Sequence, residues 1–168
     1  MLRNLLITIA CCFLCHSLAH AQYFERTAGL RMGHTSGLCY KFLLDEEDGI
    51  ELMLAGRDGG LQVLGLYEHH QLIQTNGPGS LFFYYGGGLH LGAIKTDIVY
   101  SAPPDPISLR QEARFVMGAD AIVGLSYRFH GLPLVLSYDI KPYFDHIGLR
   151  EFNFRFWDTG FTVRYVLR

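Results

Sequence analysis

The sequence predicts an all-β fold, an eight-stranded antiparallel up-and-down transmembrane β-barrel, and three observations carry that prediction. Short segments that alternate apolar and polar residues recur along the chain, and this period of two puts successive side chains on opposite faces of a strand. No second apolar run of membrane-helix length follows the N-terminal one. The last residues still alternate: Phe161, Val163, Tyr165 and Leu167 share one face, while Thr162, Arg164 and Arg168 share the other. A terminal strand with an apolar face needs a neighbour at its free edge, and a sheet closed on itself supplies one.

The N-terminus indicates export. Arg3 precedes an apolar run over 5–18, and Ala19-His20-Ala21 forms the small-x-small pattern of a signal-peptidase site. Residues 1–21 therefore read as a removed signal peptide and 22–168 as the barrel domain. The run is shorter than the ~20 residues a membrane helix needs. A lipoprotein signal fits poorly, because Thr8 stands three positions before Cys11 where an aliphatic residue is usual. Cleavage leaves only Cys39, so the mature chain can form neither an internal disulfide nor a cysteine metal site. Cys39 itself reads as a small buried hydrophobe.

Composition narrows the function classes. A formal net charge of −2 without a Lys/Arg cluster argues against a nucleic-acid partner. Nineteen glycines and 14% aromatic residues suit β-structure with close backbone approaches.

The strands follow in order. Over 24–32, Ala28, Leu30 and Met32 oppose Glu25, Thr27, Gly29 and Arg31. Over 38–44, Leu38, Tyr40, Phe42 and Leu44 oppose Cys39 and Lys41. Residues 45–49 are a turn, after which Ile50, Leu52 and Leu54 oppose Glu51, Met53 and Arg57. Asp58-Gly59-Gly60 is a tight hairpin signal. The 61–68 strand is ambiguous, since Leu64 and Leu66 share a side with Gln62 and Glu68. Leu81, Phe83, Tyr85, Leu89 and Leu91 then oppose Phe82, Tyr84, Gly86, Gly88 and His90. Further on, Ala119 to Phe129 in odd steps oppose Asp120, Ile122, Gly124, Ser126 and Arg128. After the His130-Gly131 turn, Leu132, Leu134, Leu136, Tyr138 and Ile140 oppose Val135, Ser137, Asp139 and Lys141. Pro133 stands near that strand's start, where a missing N–H does least harm.

Alternation alone leaves two orientations open: a soluble lipocalin-like barrel hides the apolar face, and a membrane barrel hides the polar one. The polar face mixes glycines with isolated charges of both signs, as suits a narrow filled lumen. Tyr127, Phe129, Tyr138 and Tyr165 stand near strand ends, where aromatic girdles form. Both features favour the membrane orientation. With Arg168 on the periplasmic side, 45–48 and His130-Gly131 are short periplasmic turns, and 96–117 and 144–152 are long outward loops. In this reading 69–80 is an uncomfortably long periplasmic link.

The mature chain resembles the small OmpA/OmpX-type outer-membrane barrels, most of all a group of short exported barrels of Gram-negative bacteria. The resemblance rests on Gly65-Leu66-Tyr67-Glu68, Tyr84-Tyr85-Gly86-Gly87-Gly88, Gly124-Leu125-Ser126-Tyr127-Arg128-Phe129, the Leu136 to Pro142 stretch and Val163-Arg164-Tyr165. It implies a location in the cell outer membrane, contact with outer-membrane lipid, and recognition by the barrel-insertion machinery. Such barrels usually end in an aromatic residue, whereas this chain ends in Arg168.

The candidate site is a lumen charge network of Arg31, Glu51, Glu68, Asp120, Arg128, Asp139, Lys141 and Arg164, with Arg57 as a further cation. Charges in so narrow an interior have to be paired, which makes the network an ion-pair plug; an ion-conducting path is the alternative. His34-Thr35-Ser36 is the one enzymatic hint, a base and a hydroxyl two residues apart as in small-barrel lipid A or phospholipid hydrolases, but no acid can be placed beside it. His69-His70 reads as a wet strand end and His90 as a hydrogen-bonded lumen residue; their spacing suits no metal. Gly86-Gly87-Gly88 lacks the Lys of a phosphate loop. Ser108 and Gln111 make a capping box for a short helix over 108–114. No catalytic residue, metal or cofactor is assigned. The expectation is a monomeric structural or surface-interaction barrel, with 96–117 and 144–152 free to meet an extracellular ligand. A soluble periplasmic ligand-binding barrel stands as the third class.

Overall fold

The computed structural model describes residues 25–74, 77–100, 108–147 and 151–167. The segment 1–21 read as a signal peptide, the 101–106 stretch and Arg168 lie outside the described residues. Among those described, the strands are β1 (Arg26–Gly33), β2 (Ser36–Leu43), β3 (Asp48–Arg57), β4 (Gly60–Gln74), β5 (Gly79–Tyr100), β6 (Ser108–Phe129), β7 (Leu134–Ile140), β8 (Tyr143–Ile147), β9 (Glu151–Arg155) and β10 (Thr159–Leu167). They pair antiparallel in the order β5-β4-β3-β2-β1-β10-β7-β6, and β6 returns to β5 to close the ring. The terminal alternation finds its neighbour in β1, paired from Arg26↔Leu167 to Gly33↔Gly160.

The ring has eight staves because two of them are interrupted. β7 and β8 keep one register against β6, with Val123 opposite Ile140 and Asp120 opposite Tyr143. They form one stave broken at Pro142, which has no N–H to give the ladder. β9 and β10 form the eighth stave. Here Tyr143 meets Arg155 while Ile140 meets Thr159, so residues 156–158 stand opposite 141–142. One extra residue on one side is a β-bulge. It reverses the phase of the stave: Phe152 and Phe154 are exposed above it, Phe156 and Trp157 are exposed within it, and Asp158 is buried.

Three expected links turn out to be strand. β4 runs on to Gln74 and pairs Leu72 with Phe82, so the long link expected over 69–80 shrinks to a turn. The expected loop 96–117 is a hairpin, with β5 and β6 paired out to Tyr100↔Ser108. The capping-box helix over 108–114 is therefore absent, and Ser108 begins a strand instead. A helix of two turns is marginal by itself, whereas a facing strand satisfies every second backbone group at once. The expected loop 144–152 likewise contains the β8–β9 hairpin.

The tight turns have local causes. Asp58 and Gly59 both adopt positive φ, 48° and 69°, as a two-residue hairpin requires. Asp45 accepts the backbone N–H groups of Glu47 and Asp48 at 2.9 and 2.7 Å. Those bonds hold its carboxyl below the usual carboxylate range.

The barrel is inverted relative to a water-soluble one. Leu30, Leu38, Leu52, Leu89, Leu125 and Tyr165 are exposed around the outside, while Arg31, Lys41, Glu51, Glu68, Lys141 and Arg164 are buried inside. Leu64 and Leu66 of the ambiguous strand do face the lumen, in apolar layers with Met53 and Cys39 and with Tyr84 and Ile122. Gly86 and Gly88 draw β5 against β4, since a Cβ at either would strike the carbonyl oxygen of Tyr67 or Gly65. At Gly160 a Cβ would overlap the Arg31 guanidinium. Gly160→Val should therefore destabilise the barrel by about 1–3 kcal/mol, the usual cost of overpacking, read as a lower melting temperature in heat-modifiable gel mobility. Gly131→Val, with nothing within 4 Å of the new Cβ, should leave the melting temperature unchanged.

Candidate functional site

Two clusters of charged side chains cross the lumen, separated by a tyrosine. The upper one is a chain of contacts. Arg57 Nη2 donates to Asp145 Oδ1 at 2.6 Å, and its guanidinium lies 3.7 Å above the Tyr143 ring. Asp145 Oδ1 is 2.8 Å from His90 Nε2, and His90 Nδ1 is 2.6 Å from Asp120 Oδ2. Lys141 Nζ then joins Asp120 at 2.8 Å to Asp158 at 3.1 Å. Arg31 completes the chain with Asp158 at 3.2 Å and Asp139 at 2.6 Å. Thr35 closes the end over Asp158, its hydroxyl donating to Oδ2 at 2.5 Å. Three permanent cations thus meet four carboxylates. His90 has a carboxylate within 3 Å of each ring nitrogen.

The lower cluster is tighter. Arg164 Nη2 spans both oxygens of Glu51, at 2.8 and 2.7 Å, and Nη1 donates to Ser137 Oγ at 2.8 Å. Lys41 Nζ lies between Glu51 at 3.0 Å and Glu68 at 2.5 Å. Tyr84 joins the two clusters. Its hydroxyl donates to Asp139 Oδ2 at 3.3 Å, and its ring lies 4.8 Å from Lys41 Nζ. His70 stacks on the same ring at 5.3 Å.

Of the eight residues chosen from sequence, seven lie in these clusters: Arg31, Asp120, Asp139 and Lys141 above, Glu51, Glu68 and Arg164 below. Arg128 stands apart at the mouth formed by the turns after β2, β4 and β6. It is paired with Glu25, and its side chain is 37% exposed. Sequence reasoning left out Lys41, Asp145, Asp158 and His90 as network members. Lys41 had been placed on the polar face, and that alone could have admitted it. Asp145 fell in an expected loop, and Asp158 is turned inward by a bulge that no residue pattern announced. His70 corrects the wet-end reading: it is buried against Tyr84, and only His69 is at the surface, 2.9 Å from Asp48.

His34 and Thr35 form the β1–β2 turn, and Ser36 opens β2. An acid does stand beside His34: Asp58 Oδ1 is 3.5 Å from its Nε2. That same nitrogen faces the Tyr143 hydroxyl at 3.3 Å. Ser36 Oγ is engaged by Gly33, donating to its carbonyl at 2.6 Å and accepting its N–H at 2.9 Å.

Among solved structures, the chain is similar to the N-terminal β-barrel domain of Pseudomonas aeruginosa OprF, with a TM-score of 0.59 over 86% of this chain and 96% of that one. The fold is that of an OmpA-type barrel. Sequence identity to OprF is 17%, so the likeness is one of architecture. No family model and no curated protein matches the chain.

The two kinds of charge seat should respond differently to removal of a cation. Arg164→Met leaves Glu51 buried with Lys41 alone, and should cost about 3–5 kcal/mol in urea unfolding from lipid or micelles. Arg128→Met removes a cation whose side chain is partly exposed, and should cost less than Arg164→Met, about 1 kcal/mol.

Proposed function

We propose that the chain is an integral outer-membrane barrel with a structural or surface-interaction role, its lumen closed by paired charges. The observation that carries this reading is the inversion of polarity. An exposed belt of Leu30, Leu38, Leu52, Leu89 and Leu125 would associate in water, but it is matched to lipid, while the carboxylates and cations are turned inward and paired. The same belt counts against a soluble periplasmic barrel. The long β5–β6 hairpin and the β8–β9 hairpin stand on the rigid barrel at the end opposite the termini, where binding to an extracellular ligand would reside. Insertion by the barrel-assembly machinery and a monomeric state belong to the same reading.

Fractionation tests the location: the protein is expected in the outer-membrane fraction, with gel mobility that changes on heating, and recovery in the soluble fraction would refute it. Reconstitution in planar bilayers tests the closed lumen. Paired charges predict rare, small conductance events, and large steady currents would speak for an open path.

The contact between His34 and Asp58 keeps a hydrolase as the second reading, with lipid A or a phospholipid as substrate. The engaged Ser36 hydroxyl weighs against it. Ala at His34 and Ser36 is expected to leave extracted lipid A with an unchanged mass spectrum; acyl chains retained only in the variants would establish the enzyme instead.

A further inference from the structure

Two cavities open at the mouth near the termini. One of about 600 Å³ runs along Leu43, Phe82 and Val135. The other, about 620 Å³, runs along Phe129, Leu132 and Val166. Either is of the size that holds a small ligand, roughly 300–1,000 Å³. Glu25, Phe82 and Arg128 line both, so the Arg128–Glu25 ion pair stands between them as a partition.

The cations here are not equivalent. Lys41 and Arg164 also line the first cavity, but Glu51 and Glu68 already hold them. Arg128 has Glu25 as its single carboxylate among the described residues. Glu25 precedes β1, and its carbonyl accepts the Leu43 N–H at 3.0 Å. Its side chain can therefore leave Arg128 without breaking a backbone bond. On the rim, Asp45 is occupied by the turn, but Glu46 is exposed. That acid disfavours a multiply charged head group and leaves room for a monoanion. Leu43, Phe82 and Val135 on one side of that guanidinium and Phe129, Leu132 and Val166 on the other then describe the rest of the ligand.

We propose that Arg128 anchors the head of a single-chain amphiphilic carboxylate whose chain lies along these apolar walls, and that Glu25 holds the anchor while the site is empty. A charge-assisted bond to the incoming carboxylate replaces one to Glu25, so the two compete for the same guanidinium. The competition gives the two residues opposite signs, which a merely structural ion pair would not.

The test uses the full barrel in phosphatidylcholine nanodiscs, with octanoate as the probe and amide shifts at Ser80, Ser126 and Val135 as the readout. Saturable shifts are expected with octanoate and not with octanol or octyltrimethylammonium. Glu25→Gln should tighten octanoate binding by up to about fivefold, the worth of a partly exposed pair. Arg128→Gln should weaken it by about tenfold or more, and Arg128→Lys, which keeps a cation, should retain most of it. Heat-modifiable mobility checks that each variant is folded. Shifts that do not saturate, equal binding of octanol, or no tightening in Glu25→Gln would each overturn the proposal.

Discussion

An ionised side chain taken out of water costs several kcal/mol unless an opposite charge meets it, and in this barrel that requirement ties together strands that are far apart in the chain. Arg164 on β10 reaches Glu51 on β3, and Lys41 on β2 reaches Glu68 on β4. Arg57 on β3 reaches Asp145 on β8, and Arg31 on β1 reaches Asp139 on β7. Each pair forms only when the staves between its members are in register. A slip of one residue would turn every such charge towards the outside. Pairing inside the lumen therefore also fixes how the first and last strands meet.

The apolar layers take the rest of the space. Met53, Ala55, Leu64 and Cys39 form one cluster, and Leu66, Tyr84 and Ile122 another. Ile94, Val116 and Ile147 form a third. Tyr84 belongs to both worlds, with its ring among apolar neighbours and its hydroxyl on Asp139. It is the side chain that makes the two charge clusters one connected interior. The mouth near the termini differs in kind. There the Arg128 guanidinium is partly exposed and cavities flank its pair with Glu25, so that pair is worth less in stability than those of the lumen.

Much of the fold was legible because strand faces obey a strict period. The assignment of Arg31, Glu51, Asp120, Asp139, Lys141 and Arg164 to one face needed only alternation and the direction of the apolar residues. What escaped came from places where the period breaks or where polarity misleads. The 69–74 segment is polar yet is strand, because Tyr85 to Phe82 on β5 lie alongside to pair with it. Residues 108–114 carry a helix-start pattern, but the facing half of a hairpin overrides it. His70 follows the surface residue His69 yet is buried, because adjacent residues on a strand face opposite ways.

By itself the sequence determined the all-β class, the closure of the last strand upon the first and the identity of most inward-facing charges. These depend on local alternation and on the edge that a terminal strand cannot leave bare. Only the tertiary structure decided which charge meets which, how Asp158 comes to join them, and that Arg128 stands outside the network. Pairing across a lumen depends on the stagger of all eight staves and on the one-residue bulge at 156–158. Each is a sum over the whole ring, and no single segment carries it.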